Sequence, residues 1–273
     1  LMPNYRFHRF VTGGSAIDMA RSYGNGRIAA FVSAPGSAGT LAAGDEIKAS
    51  FPDALVCALE PRECSTLFNN GRGTHRIEGI GDKMVTLIHN VLTTDHVMLI
   101  HDDDCVMGLE LFEHQRPLLE SILKLKSGAL RLLSGICGIS GICNILGAIR
   151  YAKHLGLGPQ DNVITIATDG FDRYPSVLED LARRRGPITK AKLGDWFETI
   201  YRTSNPADLL DLRPQDQKER LFGYKQATWS KFGYSQAYLE SMQSQDFWDA
   251  EYDKVKYIDE NLCHTRQMAV SSS

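Results

Sequence analysis

A chain of 273 residues, 43% hydrophobic, with a formal charge of −3, can bury one large core or two small ones. The near balance of charge excludes the basic field that nucleic-acid binding requires, and the run Arg183 to Arg185 reads as a solvated helix end. Six cysteines with no zinc-type spacing exclude a disulfide scaffold, predict no metal site, and suit a reducing compartment, cytoplasm or organellar matrix.

In chain order, Ser15 to Tyr23 has a short helical pattern, and "GNGR" then turns the chain into Ile28 to Ala34, an apolar run of strand length. A glycine-rich turn, "APGSAGT", follows. After it Leu41, Ala42, Ile47 and Phe51 recur at helical spacing until Pro52 and Asp53 end the helix, and Ala54 to Leu59 reads as a second buried strand. The segment "GTHRIEGIGDK" (73–83) has neither strand nor helix periodicity, and its glycines suggest backbone packed against a ligand.

Val97 to Ile100 reads as a third strand, with "HDDD" (101–104) capping the helix after it rather than ligating a hard cation. The longest uncharged run, Leu132 to Ile149, reaches the minimum length of a membrane span, but its four glycines, Asn144 and two serines predict a buried loop entering a core helix. Gly141 to Leu155 is that helix, and Val163 to Thr168 is a fourth strand ending at "DG". Nearly continuous apolar strands alternating with helices predict an α/β fold, a parallel sheet covered by helices on both faces. Beyond Pro175 the pattern becomes polar, aromatic and mostly helical. The chain therefore divides into an α/β domain, 1–175, and a helical, aromatic-rich C-terminal extension, 176–273, whose tryptophans pack against the body or a partner chain.

A turn that leaves a strand and opens a helix points backbone N–H groups and the positive helix end at one spot, which suits an anion. Gly36 and Gly39 permit close approach; Ser37 and Thr40 add hydroxyls. The dinucleotide fingerprint lacks its third glycine, and no lysine follows the last glycine as a nucleoside-triphosphate loop requires. A cup for one phosphate monoester and a plain chain reversal both survive. Ser140, just before a helix, reads equally as an N-cap. The histidines, His75 and His154 among them, form no ligand or triad spacing, and no serine sits in a nucleophile elbow.

Taken together and in order, these stretches resemble the fold type II pyridoxal-phosphate enzymes, the cysteine synthase and cystathionine β-synthase family. "FVSAPGSAGTLAAGDEIKASFPDALVCALEP" is similar to that family's strand, phosphate loop, helix and Glu-Pro strand end, "HRIEGIGDK" to its active-site loop, "GIS" (138–140) to its ring-nitrogen serine, and "TDGFDRY" to the segment closing the cofactor pocket. The resemblance covers Tyr5 to Tyr174 and implies a large domain binding pyridoxal 5'-phosphate. It implies that Gly36, Ser37, Ala38, Gly39 and Thr40 cradle the phosphate, that Ser140 meets the ring nitrogen, and that Gly79, Ile80 and Gly81 line the substrate side. A neutral hydroxyl at the nitrogen suits β-elimination or β-replacement on cysteine or an activated serine derivative, a lyase or transferase of amino-acid and sulfur metabolism.

The chain departs from that family at Ala38, where glycine is common and whose methyl must point away from the phosphate, and at Asp82, read as a loop cap. The Schiff-base lysine that such chemistry needs has no counterpart here, and neither Lys48 nor Lys83 is nominated. The resemblance places that lysine in an N-terminal half preceding this chain, in the same polypeptide or a separate one. It implies a homodimer acting on a small amino-acid substrate. The alternative is a non-catalytic, enzyme-derived structural subunit of a larger assembly.

Overall fold

The computed structural model describes residues 1–71, 73–186, 189–203 and 205–271, and the strands among them form one sheet. They are β1 (Ile28–Ser33), β2 (Leu55–Pro61), β3 (His96–Ile100), β4 (Asn162–Thr165) and β5 (Leu209–Asp211), ordered β4-β1-β2-β3-β5. The first four are parallel to their neighbours, while β5 runs antiparallel to β3 with Leu209 opposite Met98.

The helices are α1 (Met2–Phe7), α2 (Gly14–Arg21), α3 (Ala43–Ser50), α4 (Thr66–Asn69), α5 (Asp102–His114), α6 (Arg116–Ile122), α7 (Ile139–Leu155), α8 (Pro175–Arg185), α9 (Lys190–Phe197), α10 (Gln215–Trp229), α11 (Gln236–Ser241) and α12 (Gln245–Ser271). Both sheet faces are covered, which is why the strands read as unbroken apolar runs. Val32, Leu59 and Ile100 pack on one face with Leu109 of α5, Leu146 of α7 and Trp196 of α9. Phe31, Val56, Ala58 and Val97 pack on the other with Ile17 of α2, Ile47 of α3 and Leu221 of α10.

The sequence pattern differs from this fold in four places. Strand β5 was not expected within the helical stretch after Pro175; its three residues are too few to carry a period of two. The fourth strand ends at Thr165 rather than Thr168, because Ile166 already turns its carbonyl to Asn144 Nδ2, 2.7 Å away. Leu132, Leu133 and Ile136 are exposed, so the predicted buried loop is buried only from Cys137 onward. Local hydrogen bonds hold that stretch instead: Glu120 accepts from the N–H groups of Gly128 and Leu130, and Glu113 from that of Gly135. Among the described residues no helix is long and apolar enough to cross a membrane. Finally, Asp102, Asp103 and Asp104 do not cap α5. Asp102 accepts the Arg76 N–H at 2.6 Å, Asp103 pairs with Arg76 and Arg185, and Asp104 pairs with Arg150 at 2.6 Å.

The residues after 175 are stitched to the body. Trp248 is fully buried against Tyr5, ring centroids 4.9 Å apart, in a cluster with Leu87, Ile88, Leu239 and Met242. From α10, Lys225 Nζ donates to the carbonyls of Leu87 and His89, Lys218 Nζ to those of Leu92 and Thr94, and Trp229 Nε1 to that of Val85.

Candidate functional site

Strand β1 ends in the glycine-rich turn, and a tight helical turn, Thr40 to Ala42, carries the chain into α3. Among the described residues the backbone N–H groups of Gly36, Ser37 and Ala38 have no protein acceptor, and that of Gly39 reaches only Ser37 Oγ, at 3.4 Å. Gly36 is half-buried and Ser37 exposed, so these N–H groups are open at the mouth of a turn, and consecutive turn N–H groups left free in this way form a concavity that suits an anionic acceptor. The hydroxyls are oriented from behind: Ser37 Oγ accepts from Asn4 Nδ2 at 2.8 Å, and Thr40 Oγ1 lies 2.8 Å from Ser33 Oγ. Ala38 adopts a left-handed φ of 68° with its methyl in the core beside Leu41 and Ile47.

The turn opens on a cavity of about 420 Å³. Gly36, Ser37, Gly39, Thr40, Gly79, Ile80 and Ser140 all line it, so three separate sequence segments meet at one site. Gly36 lies so close to Gly79 that a β-carbon on Gly36 would collide with the Gly79 carbonyl oxygen. The loops are also tied by the Gly81 N–H, which donates to the Pro35 carbonyl at 3.2 Å. Ala38 and Gly81 do not line the cavity. Ala38 is turned into the core, and the Gly81 carbonyl lies 3.2 Å from His75 Nε2. Asp82 lies beside a smaller void with Glu60 and His89; burial pushes its carboxyl above the ordinary range.

Ser140 lies in the first turn of α7 and does not cap it; Gly138 holds the cap position. Its Oγ is instead 2.6 Å from Thr168 Oγ1, which in turn donates to Asp169 Oδ1 at 3.2 Å. Tyr174 donates to the other Asp169 oxygen at 2.5 Å, and burial together with that carboxylate pushes the phenol well above its usual range. Thr168, Asp169 and Tyr174 line the cavity, as do His8, Glu78 and Arg173. Reading the sequence identified the segment "TDGFDRY" but none of these individual side chains. The position of Thr168 and Asp169 just past a strand end, in line with the "GIS" turn, was the available signal. His8 carried none, since nothing in the sequence marks the wide helical turn, His8–Gly13, that presents it.

No residue lining the cavity is a lysine. Lys48 is paired with Asp95 at 2.7 Å, and Lys83 faces a different hollow, with Thr66 and Lys231.

No family model matches the chain. A cysteine synthase of Staphylococcus aureus is 26% identical over 174 residues, 63% of this chain and 49% of the relative. A cysteine synthase B of Campylobacter jejuni is 25% identical over 174 residues, 63% of this chain and 50% of the relative. Among solved structures, O-acetylserine sulfhydrylase isoform 3 of Entamoeba histolytica superposes with a TM-score of 0.56 at 23% identity, covering 72% of this chain and 51% of that one. The chain thus spans about half the length of the curated relatives it matches.

Proposed function

We propose that this chain, a relative of the cysteine synthases with the fold of the type II pyridoxal-phosphate enzymes, forms the phosphate and ring-nitrogen side of an enzyme active site. Its reaction is β-replacement or β-elimination on cysteine or an activated serine derivative. The observation that carries this reading is the shared cavity, where the unpaired N–H groups of the 36–40 turn and the Ser140 hydroxyl meet in a volume suited to a small cofactor and substrate.

The residues fit pyridoxal 5'-phosphate. The N–H groups of Gly36, Ser37 and Ala38, with the hydroxyls of Ser37 and Thr40, would hold the phosphate, and Ser140 would hold the ring nitrogen. Once bound, the cofactor supplies an electron sink for a carbanion at the substrate's α-carbon. Gly79 and Ile80 form the substrate side, and Gly79 leaves that space open because nothing lies within 4 Å of where its β-carbon would be. Glu78 and Arg173 bring charges of both signs to the lining, which suits a zwitterionic amino acid.

In this reading the lysine that carries the cofactor comes from a segment outside these residues, in the same polypeptide or a companion chain. The resemblance supports a homodimer, and cysteines that form no disulfide among the described residues support cytoplasm or an organellar matrix. Absorption spectroscopy of the protein isolated from its source, followed by borohydride reduction and intact mass, tests the proposal. A visible band removed by borohydride, with the cofactor's mass fixed on a peptide outside this chain, is expected. A protein that stays colourless with added cofactor and its completing segment present would refute it.

A further inference from the structure

At its ring-nitrogen end the cavity contains a directional chain of hydrogen bonds. A hydroxyl has one proton to give. Thr168 gives its proton to Asp169, which as a carboxylate can only accept. The short contact between Ser140 and Thr168 then requires the Ser140 proton, so Ser140 Oγ is left with lone pairs alone for anything bound in the cavity.

The direction is held by the surroundings. Tyr174 donates to the second Asp169 oxygen, and the Gly138 N–H donates to the Asp169 carbonyl at 2.6 Å. Gly138 has no room for a β-carbon, because Asp169 Oδ1 and the Tyr174 ring already fill that place. The aspartate is therefore pinned to the start of the helix that carries Ser140. The charged groups near Tyr174 at this end are Glu78 and Arg173, His8 lines the cavity beside Gly39, and Cys137 lies behind, near both Asp169 and Glu113.

We propose that Asp169 is a positioning residue that, through Thr168, makes Ser140 a hydrogen-bond acceptor toward the cofactor's ring nitrogen and so favours the protonated ring. This rests on the cofactor reading above. A pyridine nitrogen can donate to Ser140 only when protonated, and a carboxylate linked through two hydroxyls stabilises that charge. The lone hydroxyl expected from sequence is in effect the end of a carboxylate relay, and the ring becomes a stronger electron sink than a neutral serine alone would make it.

The test uses the chain together with the segment that completes the site, and 4-deoxypyridoxine 5'-phosphate, which has no aldehyde and so forms no Schiff base with a lysine. Its ring absorption reports the protonation of the nitrogen directly. In the unsubstituted chain the bound ring should titrate above the free analogue. Asp169→Asn, whose amide oxygen can still accept from Tyr174, and Thr168→Val, which keeps the aspartate, should each lower that titration by about one pH unit, a tenfold loss of proton affinity. Circular dichroism confirms that both variants are folded. Analogue bound with the same titration in all three proteins would overturn the relay while leaving the cofactor reading intact. Failure of the unsubstituted protein, with its completing segment present, to bind the analogue would overturn the cofactor reading and the relay with it.

Discussion

Gly36→Ala separates two explanations for the glycines of the turn. The backbone φ of Gly36 is not in the left-handed region, so alanine there has no dihedral penalty and on unfolded-state entropy alone would stabilise by about 0.4–1 kcal/mol. Against this stands the Gly79 carbonyl oxygen, which occupies the space of the added methyl. Ordinary heavy-atom contacts lie near 3.5 Å, so the two loops must part by roughly 1 Å. That separation stretches the Gly81 N–H bond to the Pro35 carbonyl, worth about 0.5–1.5 kcal/mol, and adds overpacking strain of about 1–3 kcal/mol. The clash outweighs the entropy gain, and the expected net loss is about 1–3 kcal/mol. Urea unfolding followed by circular dichroism measures it. Gly79→Ala is the companion: its β-carbon meets open space but its φ is 83°, so its cost is dihedral, about 1–2 kcal/mol. A Gly36→Ala protein at least as stable as the unsubstituted chain would refute the steric argument and leave the turn as a plain connection.

Ser140→Ala should weaken 4-deoxypyridoxine 5'-phosphate binding by about 5- to 10-fold, the value of one hydrogen bond, as read by absorption titration. Trp248→Ala should lower stability by about 3–5 kcal/mol in the same urea assay, because the indole is fully buried in a cluster with Tyr5 of α1, Leu239 of α11, Met242 and the loop residues Leu87 and Ile88. Lys225 gives a pH prediction. Burial pushes its amine down to about 7 from an ordinary 10.5, so between those values the unfolded chain holds a proton that the native state has released. Stability therefore rises with pH across that window, by up to about 1.4 kcal/mol per unit from this group. Lys225→Met should remove that slope, and an unchanged slope in urea unfolding at several pH values would show that the native amine stays charged.

How much of this was legible depended on whether a feature is local or long-range. The strands β1 to β4 and the helices α3 and α7 announced themselves because sheet burial on both faces removes polar residues from the strands, and helical spacing survives beside it. The turn at 34–40 was legible because glycine and hydroxyl residues between a strand and a helix have few purposes. Strand β5 was not, since three residues acquire their identity from the backbone of β3 rather than from their own pattern. The same holds for α1 and the wider turns after it, where Tyr5 and Arg9 are ordered by partners far along the chain: Asp45 at 2.5 Å and Asp249 at 2.7 Å.

The site shows the same division at finer scale. Each loop was visible alone, but their meeting depends on Gly36 and Gly79 approaching closely, and no spacing rule relates residues 43 positions apart. The chemistry at Ser140 was the least legible part. Read by itself, that serine is a neutral donor. In the folded chain its proton is engaged by Thr168, whose own proton is engaged by Asp169, so the polarity it presents to a ligand is decided two side chains away. Residue type sets which hydrogen bonds a group can make, and the network sets which of them is left over for the ligand. A serine at this position therefore does not by itself determine the charge on the ring it meets.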